Sequence, residues 1–170
     1  MLLNEKQVES IRDNKVTYVK SFAILDREYD FNLMSKFLEQ EPDSEVLTKT
    51  RIGNLKDVYN MVNVTNYLKE FKTFFDFLLK TFKYSLDSRD GVDLFFSFVT
   101  QLGAVHKDFE YVFIIGLKGK TIYRIYDVNN IDYEINKGDM IFIPPGVKHK
   151  VIGLTPRIIA SIGYFNKRIR

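Results

Sequence analysis

The rhythm of hydrophobic and polar positions changes near residue 90. Before it, apolar residues recur at three- and four-residue steps, the repeat of helices with one buried face. In NYLKEFKTFFDFLLKTFKY, residues 66–84, Leu68, Phe71, Phe75, Leu78, Leu79 and Phe82 fall on one stripe, widened by Phe74 and Phe77. A stripe that wide suits a helix packed on a sheet better than a membrane-surface or partner helix. DFNLMSKFLEQ offers Asp30 as N-cap, then Leu33, Met34, Phe37 and Leu38 at helical spacing, and Glu41-Pro42-Asp43 ends it, because a residue before proline is pushed out of the α region. NEKQVESIR predicts a helix starting at Asn4, with Gln7 as capping-box partner. Between these helices VTYVKSFAI, residues 16–24, reads as a strand.

After Asp90-Gly91 the runs shorten and turn β-branched and aromatic: VDLFFSFVTQL, YVFIIGL, KTIYRIYDV, DYEI, DMIFIP, HKVIGL and RIIASIGYF. LKGK, VNN, NKGD, PPG and LTP separate them as turns. The pattern predicts a mainly β protein with N-terminal helices, its strands forming an antiparallel sandwich or barrel. It predicts one domain over 1–170, with a helical part, 1–90, packed on a β-barrel core, 92–165.

Composition narrows the classes. The chain has 170 residues, 45% hydrophobic and 28% charged, as in ordinary globular domains. Lysines and acids alternate and the net charge is only +3, which argues against a nucleic-acid binder. Without cysteine there is no disulfide, thiolate metal site or Cys nucleophile. No N-terminal signal segment or membrane-length apolar run is visible, so the expected compartment is the cytoplasm.

Two histidines remain to be explained. His149 follows KGDMIFIPPGVK, a segment that turns at Gly138-Asp139, runs as a strand and stops at Pro144-Pro145-Gly146. His106 and Asp108 stand two apart in VHKDFEY, which on a strand puts both on one face. Two histidines and a carboxylate on rigid strands make the facial triad of non-haem Fe(II) sites. The alternative is a pair of hydrogen-bonded core histidines. Glu110 is a weaker substitute for Asp108. Lys107, Lys148 and Lys150 flank the ligands, where they could draw in an anionic substrate, and Tyr111, Tyr123 and Tyr126 are further candidates for a pocket.

These segments carry a resemblance. GDMIFIPPGVKH resembles the second conserved motif of the cupin superfamily, and VHKDFEYVFIIGLKGKTIYRIYD is similar to the first metal-binding segment of its jumonji-like, ribosomal-oxygenase type. The likeness runs from about Phe95 to Tyr164 and implies a double-stranded β-helix. It implies His106, Asp108 and His149 as ligands of Fe(II), with 2-oxoglutarate as cosubstrate. The family places a basic residue for the cosubstrate's distal carboxylate where this chain has Thr121. Lys120 and Arg124 have the opposite parity to Thr121. Arg157, which opens RIIASIGY in the parity of Ser161, is the expected replacement, since a related branch grips the cosubstrate from a late strand.

The resemblance therefore implies an Fe(II)- and 2-oxoglutarate-dependent dioxygenase that hydroxylates a small molecule or peptide. The rival reading is a cupin that binds a metal or ligand without oxidation, as a sensor or binding protein. A metal-dependent isomerase, or a dioxygenase that needs no keto acid, is a third. No nucleic-acid or membrane partner is expected, and a homodimer is left open.

Overall fold

Asn4 opens helix α1 (Glu5–Arg12) through a reciprocal capping box. Its side chain accepts from the Gln7 N–H and the Gln7 side chain accepts from the Asn4 N–H, both at 2.9 Å. Two otherwise orphaned donors are satisfied. The computed structural model describes residues 3–25, 27–40, 48–49, 58–61, 69–82, 91–98 and 100–164. Helix α2 (Phe31–Gln40) is capped by Asp30, whose carboxylate accepts from the Leu33 N–H at 2.7 Å. Leu33 packs against the core. The side chains of Met34, Phe37 and Leu38, and the Glu41-Pro42-Asp43 stop, lie outside the described residues.

Helix α3 (Lys69–Phe82) falls inside the expected 66–84. Residues 66–68 and 83–84, and the side chains of Phe75 and Leu79, lie outside the described residues. Phe71, Phe74 and Leu78 are buried, with Phe77 and Phe82 packed beside them. Phe74 meets Phe113 edge-on at 5.8 Å between centroids. The aromatic stripe faces a sheet, and each such side chain contributes about 1.5–3 kcal/mol of burial.

The sheets hold eleven strands among the described residues. The larger is ordered β1 (Thr17–Val19), β9 (Met140–Ile143), β6 (Tyr111–Lys118), β11 (Arg157–Tyr164), β4 (Gly91–Ser97), β3 (Val58–Met61) and β2 (Thr48–Lys49). The smaller runs β5 (Gln101–Leu102), β10 (His149–Gly153), β7 (Thr121–Ile125) and β8 (Ile131–Ile135). Every pairing is antiparallel. No helix among the described residues is long and apolar enough to cross a membrane.

Three sequence expectations need correction. The helical part expected over 1–90 supplies, besides the strand read at 16–24, strands β2 and β3, which extend the large sheet. The strand expected over 16–24 covers only Thr17–Val19. There the chain turns at Ser21, with φ +51°, and its N–H donates to the buried Asp139 carboxylate at 2.9 Å. VDLFFSFVTQL is two strands in different sheets. It leaves the larger sheet after Ser97 and joins the smaller at Gln101, and Phe98 stacks on Phe31 at 4.5 Å.

Burial explains the two strand textures. β6, β9 and β11 are covered on both faces, by the helices outside and by the second sheet inside, so YVFIIGL, MIFI and RIIASIGY are nearly continuous apolar runs. β7 has one face in solvent and alternates: Thr121, Tyr123 and Ile125 point in, while Ile122 and Arg124 point out. Val112, Ile114, Tyr123, Ile135, Ile141 and Ile159 fill much of the space between the sheets. What they leave open becomes the site.

Candidate metal centre

The Pro-Pro-Gly corner fastens one candidate ligand while delivering another. Gly146 has φ +80°, and its N–H donates to the Asp108 carbonyl at 2.8 Å. Three residues on, His149 enters β10 and exchanges both backbone hydrogen bonds with His106, at 2.9 and 3.0 Å. Three main-chain bonds thus lock the segments carrying His106, Asp108 and His149 together, whatever their side chains do.

The side chains converge. One ligand-type atom from each of His106, Asp108 and His149 lies within 4.8 Å of the others. His149 Nε2 is 3.4 Å from Asp108 Oδ2, and His106 Nε2 is 3.9 Å from Asp108 Oδ1. Both histidines place Nδ1 3.0 Å from a backbone carbonyl two residues back, Ala104 for His106 and Val147 for His149. A carbonyl only accepts, so Nδ1 carries the proton in each ring. In that tautomer the Nε2 lone pair of each ring is left for the cluster, as in metal-binding histidines whose other nitrogen is held by a carbonyl. These residues fit a divalent metal of the kind that accepts imidazole and carboxylate. A pair of core histidines would have no need to aim both lone pairs at one carboxylate.

His149 is 2% exposed, and its pKa is lowered from the ordinary 6.5, chiefly by burial. A native pKa below the unfolded one means that the unfolded chain takes up its proton first as pH falls. The stability contributed by neutral His149 is fully present above 6.5 and is lost as pH drops through the native value. The metal-free protein should therefore melt progressively lower below pH 6.5, and His149→Gln should flatten that slope; thermal melts between pH 7.5 and 5 check this.

The triad sits at one end of a cavity of about 220 Å³ between the sheets. Val112, Ile114, Val151 and Ile159 form apolar walls, and Ser97, Tyr123, Arg157 and Ser161 supply polar groups. Arg157 is 4% exposed, and burial lowers its pKa, opposed by the nearby Tyr123. Its guanidinium lies over Gly153, occupying the space a β-carbon there would need. Burial raises the Tyr123 pKa, with Arg157 pulling it down and Asp108 pushing it up. Tyr123 therefore keeps its proton and stands within electrostatic reach of both Arg157 and the triad.

The other candidates separate cleanly. Thr121 is buried and pairs with Gly153 on the inward row of β7, but it does not line the cavity. Arg124 points outward into a two-pronged ion pair with Asp132, 2.7 Å for each contact, and Lys120 lies 3.6 Å from Glu134. Glu110 is outside the triad and packs its carboxylate against Gly163. Tyr111 stacks on Tyr164 at 5.2 Å, away from the cavity, and Tyr126 lines a neighbouring cleft with Lys107 and Lys148. Sequence reasoning missed the walls, Phe95, Val112, Ile114 and Ile159 among them. Their inward parity was the available signal.

No known family profile matches the chain, and no curated protein does. Solved structures do. Escherichia coli ribosomal oxygenase YcfD superposes with a TM-score of 0.68 at 19% identity, over 99% of this chain and 53% of that one. YcfD in complex with cobalt and 2-oxoglutarate gives 0.62 at 18%, over 92% and 49%. A Pseudomonas putida prolyl-4-hydroxylase gives 0.59 at 14%, over 96% of this chain and 98% of that one. The likeness is one of fold: two antiparallel sheets facing each other with helices on the outside. This chain spans about half the length of the YcfD chains.

Gly146 is the position in the corner where the backbone demands glycine. A β-carbon there would meet nothing within 4 Å, so the cost of a side chain comes from the positive φ alone. Gly146→Val should cost about 1–3 kcal/mol and loosen the bond to the Asp108 carbonyl. Metal affinity should fall with it; melting and Mn(II) titration of the variant check both.

Proposed function

We propose that the protein is an Fe(II)- and 2-oxoglutarate-dependent oxygenase that hydroxylates a C–H bond of a small molecule or peptide. One observation carries the reading: a triad with both Nε2 lone pairs directed at a carboxylate shares a cavity with a buried arginine. His106, Asp108 and His149 would hold the metal, and Arg157 would receive the distal carboxylate of the cosubstrate. Iron bound there would supply O2 activation, 2-oxoglutarate being oxidised to succinate and CO2, with one oxygen atom of O2 entering the succinate and the other the substrate.

The chain's own residues do the rest. Val112, Ile114, Val151 and Ile159 wall the cavity with apolar surface, which lowers the local dielectric and strengthens the charge contact at Arg157. Tyr123, protonated and near both charged ends, can donate a hydrogen bond to a carboxylate lying between them. Arg157 on β11 takes the role that Thr121 on β7 cannot, because a hydroxyl makes no ion pair. The likeness to YcfD, one structure of which holds cobalt and 2-oxoglutarate, supports this reading. The cytoplasm remains the expected compartment.

Anaerobic calorimetry with Mn(II) should show 2-oxoglutarate binding that depends on the metal, and aerobic turnover with Fe(II) should yield succinate. Absence of any 2-oxoglutarate binding to the metal-loaded protein would leave the non-oxidative binding protein as the better account.

A further inference from the structure

The metal cavity, at about 220 Å³, is smaller than the roughly 300–1,000 Å³ of sites that enclose a whole ligand. On the oxygenase reading it would have to hold a metal, a keto acid and the target bond, which leaves the body of a substrate outside. A second cleft, of about 560 Å³, opens beside it where the sheets part. Its walls come from Val16 before β1, Tyr126 after β7, Ile131 and Tyr133 on β8, and the 146–148 corner.

Two residues tie this cleft to the metal centre. Lys107 stands between His106 and Asp108, and Lys148 directly precedes His149. Both lysines line the cleft while their neighbours line the cavity. The side chains of His106 and Asp108 are each 31% exposed, so the cavity opens to solvent at the lip that Lys107 forms.

The cleft's chemistry has a sign. Its floor is apolar and aromatic, with Tyr133 braced against Tyr18 at 5.8 Å. Its charged residues are Lys15, Lys107 and Lys148 against Asp127. Lys15 is held by Asp13 at 2.8 Å. Among the described residues neither Lys107 nor Lys148 has a carboxylate within ion-pair distance. We propose that this cleft receives the body of the substrate, and that this body is a small aromatic or apolar anion bearing a phosphate or carboxylate. The assignment to a substrate rests on the oxygenase reading; the anion site itself does not.

The test uses phenyl phosphate on metal-free, isotope-labelled protein, with phenol and inorganic phosphate as controls. Amide shifts should cluster at 125–127 and 146–148. Affinity should fall at least about fivefold for phenol, and by the same factor for Lys107→Gln/Lys148→Gln, the worth of two exposed ion pairs. With Mn(II) bound, the 31P signal of phenyl phosphate should relax faster, as a group beside the metal must. Equal affinity for phenol, an unaffected double variant, or shifts confined to the Arg157 cavity would overturn the anion site. Inorganic phosphate binding as tightly as phenyl phosphate would overturn the ring. Metal-dependent 2-oxoglutarate binding, measured on the same wild-type protein, tests the oxygenase reading separately; its failure overturns the substrate assignment while the anion site stands.

Discussion

His149→Ala should lower Fe(II) affinity by more than ~100-fold, since even second-shell losses at metal sites reach 10–100-fold. The fold should survive it. His149 and His106 are joined through main-chain atoms, and alanine keeps those bonds. What is lost is the buried Nε2, 3.4 Å from Asp108, and with it a third of the ligand set. Lys150→Ala, one residue along and of outward parity on β10, should bind metal as wild type does. Anaerobic titration with Mn(II) and melting of both variants decide the matter. A folded His149→Ala protein that keeps wild-type affinity would remove the triad from consideration.

The triad was legible because so few residues could compete for it. A chain with two histidines, one followed two positions on by a carboxylate and the other just past a Pro-Pro-Gly stop, leaves little choice of ligands. Strand parity then places His106 and Asp108 on one face, and the structure brings all three together. Strands β6 to β11 were legible for a similar reason: each apolar run is bounded by a turn signal that the backbone obeys, including positive φ at Gly119, Gly138 and Gly146.

Other features depend on contacts between segments distant in sequence, and periodicity does not record those. β2 and β3 are short and owe their conformation to pairing with β4 through β3. Nothing in VDLFFSFVTQL marks the point where the chain leaves one sheet for the other. Asp139 looked like an ordinary turn residue, yet its buried carboxylate accepts from Tyr18, Ser21 and Asn136 at 2.9–3.1 Å and anchors the β1 end of the large sheet. Burial first, and then its own bond to Asp139, hold the Tyr18 pKa up at about 12. The choice of Arg157 over Thr121 was legible as parity, but the room made for its guanidinium by Gly153 on β10 was not.

That room leads to the second large effect. Arg157→Met keeps the length and packing of the stem and removes the charge. On the proposed function the variant loses a charge-assisted contact to a carboxylate in a dry cavity, about 1.5–3 kcal/mol, or ~10- to 150-fold in 2-oxoglutarate affinity. Stability should behave differently. A buried guanidinium carries a desolvation cost, seen in the downward shift of its pKa. That cost offsets part of what its contacts in the fold supply, so the variant's own melting point without 2-oxoglutarate sets its baseline. The two effects separate in one melting experiment. At a 2-oxoglutarate concentration ~100 times the wild-type Kd, the metal-loaded wild type gains ~2.7 kcal/mol. A variant binding ~30-fold more weakly gains under ~1 kcal/mol at that concentration. A variant that gains far less than wild type over its own cosubstrate-free baseline identifies Arg157 as the carboxylate's partner. Equal stabilisation of the two proteins would move the cosubstrate's anchor elsewhere in the cavity.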